Sequence, residues 1–162
     1  MSSTGRGSVR RDSDFYTTPE HAFVPVLPFI KLMPDPVWEP ACGDGRLVRW
    51  MNSYGIQSWG TDIAHGFDFF EAEKRGDTIV TNPPFSLAFE FCDRALKMSS
   101  NVAMLLRLNF LAGQKRRDWY KEHPPTALVV LSRRPSFTGN GTDSCDYAWV
   151  FWSPFVHGIH HV

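Results

Sequence analysis

An open α/β sheet with mostly parallel strands is the fold class that this sequence predicts, and three observations predict it. Short apolar, β-branched runs alternate along the chain with stretches of helical period. The first run opens on a tight glycine turn, Pro40-Ala41-Cys42-Gly43-Asp44-Gly45, that leads straight into a helical stretch. A later run, Thr78-Ile79-Val80-Thr81, stops at Asn82-Pro83-Pro84-Phe85. Those paired prolines lack a backbone N–H and fix φ near about −65°, so no central strand continues through them.

The elements follow in order. Residues 1–13 are Ser, Gly and Arg with almost nothing apolar, which predicts a disordered arm. Its Arg6, Arg10 and Arg11 read as a solvated tail in preference to phosphate ligands. The domain proper is expected over residues 14–153. Its first helix has Thr18 as N-cap, Pro19 at the first helical position and Glu20 against the dipole. Pro25 should kink that helix and Pro28 should end it near Leu27. Val37–Glu39 is the first strand, and Arg46–Tyr54 a helix with Leu47, Val48 and Met51 at helical spacing, ended by Gly55. Ile56–Gly60 forms the second strand, finishing at Thr61-Asp62. A short third segment before Asp68-Phe69-Phe70 makes Thr78–Thr81 the fourth strand. Leu87–Met98 is amphipathic, with Phe91, Ala95 and Met98 on one face.

Asn101–Leu108 is a strongly apolar strand, Gln114–Tyr120 a basic and aromatic short helix, and Thr126–Leu131 a further apolar strand. A Gly/Ser/Thr-rich loop over residues 133–144 leads to Tyr147–Trp152, the last strand. The connection between these two strands is too short for a helical crossover, so they should pair antiparallel as a C-terminal hairpin. The tail from 154 to 162 reads as frayed, with His157, His160 and His161 incidental.

Composition bounds the rest. The 162 residues suffice for one cored domain, and 43% hydrophobic with 21% charged is ordinary for a soluble globular chain. Formal net charge is zero, so nucleic-acid binding would have to come from local patches. Three scattered cysteines give neither a disulfide framework nor metal-ligand spacing, and no metal is expected. With no apolar h-region at Met1–Gly7 and no membrane-length run, a cytoplasmic location is expected.

In an open α/β sheet, ligands bind beyond the carboxyl ends of the strands. Gly43 and Gly45 either make a tight turn only or also let the backbone approach a ligand. Asp62 ends the second strand, 17 residues after Gly45, placed to accept from ribose hydroxyls or to cap a helix. Val48 stands where a dinucleotide fingerprint needs a third glycine, which favours an adenosine cofactor without pyrophosphate. Asn82-Pro83-Pro84-Phe85 presents an amide, rigid carbonyls and an aromatic ring together, a seat for a planar amine.

Glu39-Pro40-Ala41-Cys42-Gly43-Asp44-Gly45 followed by Thr81-Asn82-Pro83-Pro84-Phe85 resembles the S-adenosylmethionine-dependent adenine-N6 DNA methyltransferases, notably the small enzymes of phages and prophages. The resemblance extends to Phe15-Tyr16-Thr17-Thr18-Pro19 and to Arg133-Arg134-Pro135-Ser136-Phe137-Thr138-Gly139. It implies a Rossmann-like class I methyltransferase fold with S-adenosyl-L-methionine as cofactor. Gly43 and Gly45 would border the methionine part, Tyr16, Thr17, Thr18 and Pro19 would cover its carboxylate and amino end, and Glu39, Ala41 and Asn82 would also belong to the cofactor site. Asp62 and Ile63 would meet the ribose and adenine. Asp68 and Phe69 would contact the cofactor's adenine, though Asp68 equally suits a helix cap. Catalysis would fall to Asn82, Pro83, Pro84 and Phe85. The Asn82 side chain and the Pro83 carbonyl would accept from the two N6 hydrogens, with Phe85 stacking on the base.

The partner implied is adenine-containing DNA. Two basic clusters follow parallel strands and so reach the same sheet edge: Arg107 with Lys115, Arg116, Arg117, Trp119 and Tyr120, and Arg133 with Arg134. The resemblance departs from the larger family members in showing no inserted recognition domain, so a short or relaxed sequence preference, or help from a partner chain, is expected. The same chemistry also suits RNA adenine or a protein glutamine, and a non-catalytic cofactor- or DNA-binding module is the alternative from another class.

Overall fold

Strand signals cluster where apolar side chains alternate, and these runs assemble side by side. The structure, a computed structural model, describes residues 16–137, 141 and 143–162. The predicted arm and residues 14 and 15 lie outside that range, as do Thr138, Gly139 and part of the 133–144 loop. The strands are β1 (Val37–Glu39), β2 (Ser58–Gly60), β3 (Thr78–Thr81), β4 (Val102–Arg107), β5 (Ala127–Val130), β6 (Tyr147–Trp152) and β7 (Gly158–His161). They form one sheet in the order β2-β1-β3-β4-β6-β5-β7. β2, β1, β3 and β4 are mutually parallel, and β6 runs antiparallel to both β4 and β5. This is the open, mostly parallel α/β sheet that the alternation of elements predicted, with its antiparallel strand.

Helices cover both faces. They are α1 (Glu20–Phe23), α2 (Leu27–Ile30), α3 (Arg46–Ser53), α4 (Ala88–Met98) and α5 (Arg117–Glu122). On β6 the side chains alternate: Tyr147, Trp149 and Phe151 enter one core layer with Phe23, Ile30 and Met51, while Val150 and Trp152 enter the other with Phe91 and Ala95. Both faces are therefore apolar, which is why β4 and β6 read as continuous hydrophobic runs. Trp149 fixes α1 to the sheet by donating from Nε1 to the Ala22 carbonyl at 2.8 Å. Among the described residues no helix is long and apolar enough to cross a membrane.

Four local expectations need correction. Pro19 is extended (φ −73°, ψ 149°) and flanks α1 as its N-cap without a side-chain bond, so Thr18 is not the cap and Glu20 is the first helical residue. Pro28 does not end the helix. It sits in the first turn of α2, where its missing N–H has no partner to lose, and the chain stays helical to Ile30 through a 3-10 turn at Val24–Val26. The segment after Asp62 is a 3-10 turn, Ile63–His65, so Thr78–Thr81 is the third strand in chain order. Finally, residues 158–161 are not frayed: β7 pairs in parallel with β5. The Gly158 amide reaches the Thr126 carbonyl at 3.0 Å, and the Val162 amide reaches that of Val130 at 3.0 Å. A short polar strand here covers the edge that β5 would otherwise leave open.

Candidate active site

The parallel topology brings the carboxyl ends of β1, β3 and β4, and the end of β2, to one edge of the sheet, where three adjoining clefts open. The Asn82–Phe85 turn touches all of them: Pro84 lines the first, Asn82 the second and Phe85 the third.

The glycine turn is built around one carboxylate. Gly43 (φ 53°) and Gly45 (φ 74°) adopt left-handed conformations that a side chain would strain. Asp62 is 1% exposed. Its Oδ2 accepts from the Gly43 amide at 2.8 Å and its Oδ1 from the Ala64 amide at 2.9 Å. Asp62 thus caps the 3-10 turn and locks β2 to the turn that follows β1. The two readings of Asp62 are compatible, because it lines the first cleft while holding both amides, and each carboxylate oxygen accepts more than one bond.

The first cleft is largely apolar, lined by Ala41, Asp62, Ile63, Phe67, Asp68 and Phe69 among others. Phe69 is buried, stacked on Phe91 at 4.8 Å and edge-on to Trp38 at 5.5 Å. Ile63 and Phe67 are exposed at the rim. Asp68 caps the local turn by accepting from the Phe70 amide at 2.9 Å and also lines the cleft. The second cleft is polar, lined by Tyr16, Thr17, Thr18, Glu39, Ala41, Cys42, Gly43, Asp44, Leu47 and Asn82. Ala41 lines both clefts. Neither cleft is lined by Pro19 or Gly45, which flank the second from one residue away. An apolar slot with an acid at its rim, joined to a polar slot holding Glu39 and two threonines, fits an adenosine bearing an amino-acid end.

Asn82 is 6% exposed at the end of β3. Its Nδ2 donates to the Tyr16 carbonyl at 3.2 Å. A carbonyl only accepts, so this bond fixes the amide flip and turns Oδ1 the other way. That Oδ1 is buried and has no hydrogen-bond partner among the described residues. The Pro84 carbonyl is taken by the Leu87 amide at 2.9 Å, at the start of the 3-10 turn leading into α4.

Phe85 is boxed by aromatic rings: Tyr16 at 5.0 Å, Tyr147 at 5.6 Å and Phe137 at 5.7 Å. The Arg107 guanidinium lies over the ring at 4.4 Å. Any base approaching that face meets Arg107 first, which alters the simple expectation of base stacking on Phe85. Arg107 Nε donates to the Tyr147 hydroxyl at 3.2 Å, and that hydroxyl donates to Asp143 Oδ2 at 2.5 Å. Burial and then the bond to Asp143 push the Tyr147 phenol above its ordinary range, so it stays protonated and serves as donor and acceptor at once. Burial works against the Arg107 charge, but the bond to Tyr147 and the nearby Asp143 outweigh it and raise its pKa.

The basic residues separate in space. Arg107 and Arg116 line the third cleft together with Asn109. Lys115 and Arg117 are exposed nearby without lining it. Arg134 is committed to Asp146 at 2.7 Å, and Arg133 lines a different cleft with Val24, Pro25 and Val162. Trp119 and Tyr120 are packing residues: Trp119 Nε1 donates to Asp93 at 3.0 Å and the Tyr120 hydroxyl to the Phe110 carbonyl at 3.2 Å. Sequence reading missed Phe67, Phe110, Asp143 and Tyr147. Tyr147 reads as one more core residue of an apolar strand, and only its bonds to residues in other elements mark it.

No family model matches the sequence, and no curated protein is similar to it in sequence. Solved structures are similar in fold. A Listeria monocytogenes protein described as a class I S-adenosylmethionine-dependent methyltransferase superposes with a TM-score of 0.62 at 10% identity, over 90% of this chain and 65% of its own. A Vibrio vulnificus protein described as the modification subunit of a type I restriction enzyme gives 0.60 at 15% identity, over 94% of this chain and 48% of its own. A Pyrococcus horikoshii protein described as an RNA methyltransferase gives 0.57 at 13% identity, over 87% of each chain. The chain therefore spans just under two thirds of the first and about half of the second. At these identities the likeness is one of fold: the chain has the class I methyltransferase fold.

Proposed function

We propose that this chain is an S-adenosylmethionine-dependent methyltransferase that acts on the N6 amino group of adenine in DNA. The observation that carries the reading is the buried Oδ1 of Asn82, an acceptor with no partner among the described residues, at the head of a turn whose residues line three adjoining clefts. A buried acceptor left unbonded costs about 1–3 kcal/mol, and such groups persist where a ligand completes them.

The cofactor supplies an electrophilic methyl on a sulfonium when bound. Ile63, Phe67 and Phe69 would hold its adenine, with Asp62 and Asp68 at the polar edge. Glu39, Thr17 and Thr18 would hold its amino-acid end, with the Gly43–Gly45 turn giving close backbone approach. The acceptor amine is a weak nucleophile because its lone pair is delocalised into the ring. Asn82 Oδ1 accepts one N6 hydrogen. With the Pro84 carbonyl occupied, the Pro83 carbonyl accepts the second. Both acceptors favour a pyramidal nitrogen with a localised lone pair, and rigid prolines hold them without reorganisation. Proximity to the methyl then completes the requirement. In duplex DNA the base would have to flip out of the stack.

The test is direct. DNA from cells expressing the chain is digested and assayed for N6-methyladenine, beside DNA from cells expressing Asn82→Ala. N6-methyladenine is expected with wild type only, and equal levels refute the proposal. The same assay on RNA separates the two polymers.

A further inference from the structure

The third cleft is a solvent-open chamber of about 240 Å³ lined by Phe85, Ala88, Leu106, Arg107, Asn109, Phe110 and Arg116. Its two aromatic rings each carry a guanidinium plane: Arg107 over Phe85 at 4.4 Å and Arg116 over Phe110 at 4.5 Å. Among the described residues no carboxylate lines it. Both arginines are held in place by hydrogen bonds within the protein. Arg116 Nε donates to the Phe110 carbonyl at 3.0 Å and its Nη2 to the Ala112 carbonyl at 3.2 Å. Arg107 is held through Nε by Tyr147, which is held in turn by Asp143. Those bonds leave donor nitrogens on each guanidinium.

We propose that this chamber takes a nucleotide, with its base on the Arg107–Phe85 stack and its phosphate against Arg107 and Arg116, and that Tyr147 and Asp143 are positioning residues for Arg107. The inference rests on the reading of Asn82–Phe85 as the acceptor seat. It goes further by naming the charge that the site selects. Guanidinium planes stack on bases and pair with phosphate oxygens. A neutral glutamine side chain uses neither property, and its amide N–H groups would face a chamber wall rich in donors.

The probes are 2′-deoxyadenosine 5′-monophosphate, 2′-deoxyadenosine and a glutamine-containing tripeptide. Their affinities for the full chain are measured by calorimetry at fixed salt. The monophosphate is expected to bind about tenfold or more tighter than the nucleoside, the gain of a charge-assisted pair. Arg116→Ala should erase most of that preference without changing nucleoside affinity, Arg107→Ala should weaken both adenine probes and erase most of the preference, and Arg107→Lys should restore part of the preference. Tyr147→Phe keeps the buried ring and removes only the hydroxyl. It should reduce the preference while S-adenosylhomocysteine binding stays unchanged, a pattern that a folding defect would not give. Equal affinity for the two adenine probes, no binding of the monophosphate, tighter binding of the tripeptide, or a preference intact in Arg107→Ala would each overturn the proposal. If N6-methyladenine forms in cells but the phosphate preference is absent, the chamber proposal fails alone. If the preference holds and no methylation occurs, the acceptor reading fails and the chamber stands.

Discussion

Asn82→Ala should remove activity and leave the fold as stable as wild type, or more so. The side chain makes one hydrogen bond, Nδ2 to the Tyr16 carbonyl at 3.2 Å, which is at the long end of the range. Its loss costs about 0.5–1.5 kcal/mol. Against this, the substitution removes a buried Oδ1 that has no partner among the described residues. Relief of that group returns about 1–3 kcal/mol. Tyr16 is half-buried, so water can take the place of the lost donor. The net effect lies between about −0.5 and +2.5 kcal/mol, or a midpoint change of about −2 to +10 °C at 2–4 °C per kcal/mol. Most substitutions of buried residues instead destabilise, by about 1 kcal/mol on average. Urea and thermal unfolding of both proteins, beside a methyl-transfer assay, give the answer. A loss of more than about 2 kcal/mol would mean that Oδ1 is satisfied in the fold, and the functional reading would lose its main support. Asn82→Asp separates the two atoms. It presents an oxygen to the Tyr16 carbonyl with no donor between them, so burial and repulsion raise the new carboxyl's pKa. Its stability relative to wild type should then be best at low pH and fall as the pH rises.

Three further outcomes follow from the site. Asp62→Ala strands the Gly43 and Ala64 amides at a position 1% exposed, and should cost about 3 kcal/mol or more in urea unfolding while weakening S-adenosylhomocysteine binding. In Gly60→Ala the new Cβ would stand 2.5 Å from Cys42 Cβ and 3.0 Å from Val48 Cγ2, so the glycine turn must shift. About 1–3 kcal/mol should be lost, with weaker cofactor binding by calorimetry; wild-type affinity would show that the turn does not set the second cleft. The Asp143 carboxyl is held below its ordinary pKa, first by the Tyr147 hydroxyl, with burial opposing. A depressed folded pKa stabilises above the unfolded value of about 3.9, and that contribution is lost as the pH falls through the folded one. Asp143→Asn should therefore flatten the acid limb of the stability profile below about pH 4; an unchanged limb would argue against the Tyr147–Asp143 bond.

Much of the fold was legible because its signals are local. The runs at Val37–Glu39, Thr78–Thr81 and Tyr147–Trp152 carry their own alternation or β-branching, and prolines and glycines punctuate them, so strand bounds there came out as observed. The short link between β5 and β6 was enough to predict their antiparallel pairing. β7 was not legible, since Gly158-Ile159-His160-His161 has no apolar period and is a strand only because β5 offers it an edge. In the same way, Pro28 breaks a helix in isolation, yet it serves as the start of one once the 3-10 turn before it resets the register.

The candidate site divides along the same line. Chemical identity was present in the chain itself: an amide before two prolines, glycines after a strand, and a carboxylate at the end of the next. Their assembly depends on pairs distant in sequence, such as Asn82 with Tyr16, 66 residues apart, and Arg107 with Tyr147, 40 apart. Arg107 and Arg133 look equivalent as basic residues that follow parallel strands. The sheet order β4-β6-β5 inserts a strand between them, so Arg107 lines the chamber beside Phe85 while Arg133 turns to another cleft. Propensity and period act over a few residues, whereas strand order is set by which apolar faces bury one another across the whole chain, and only that global packing decides which charges meet.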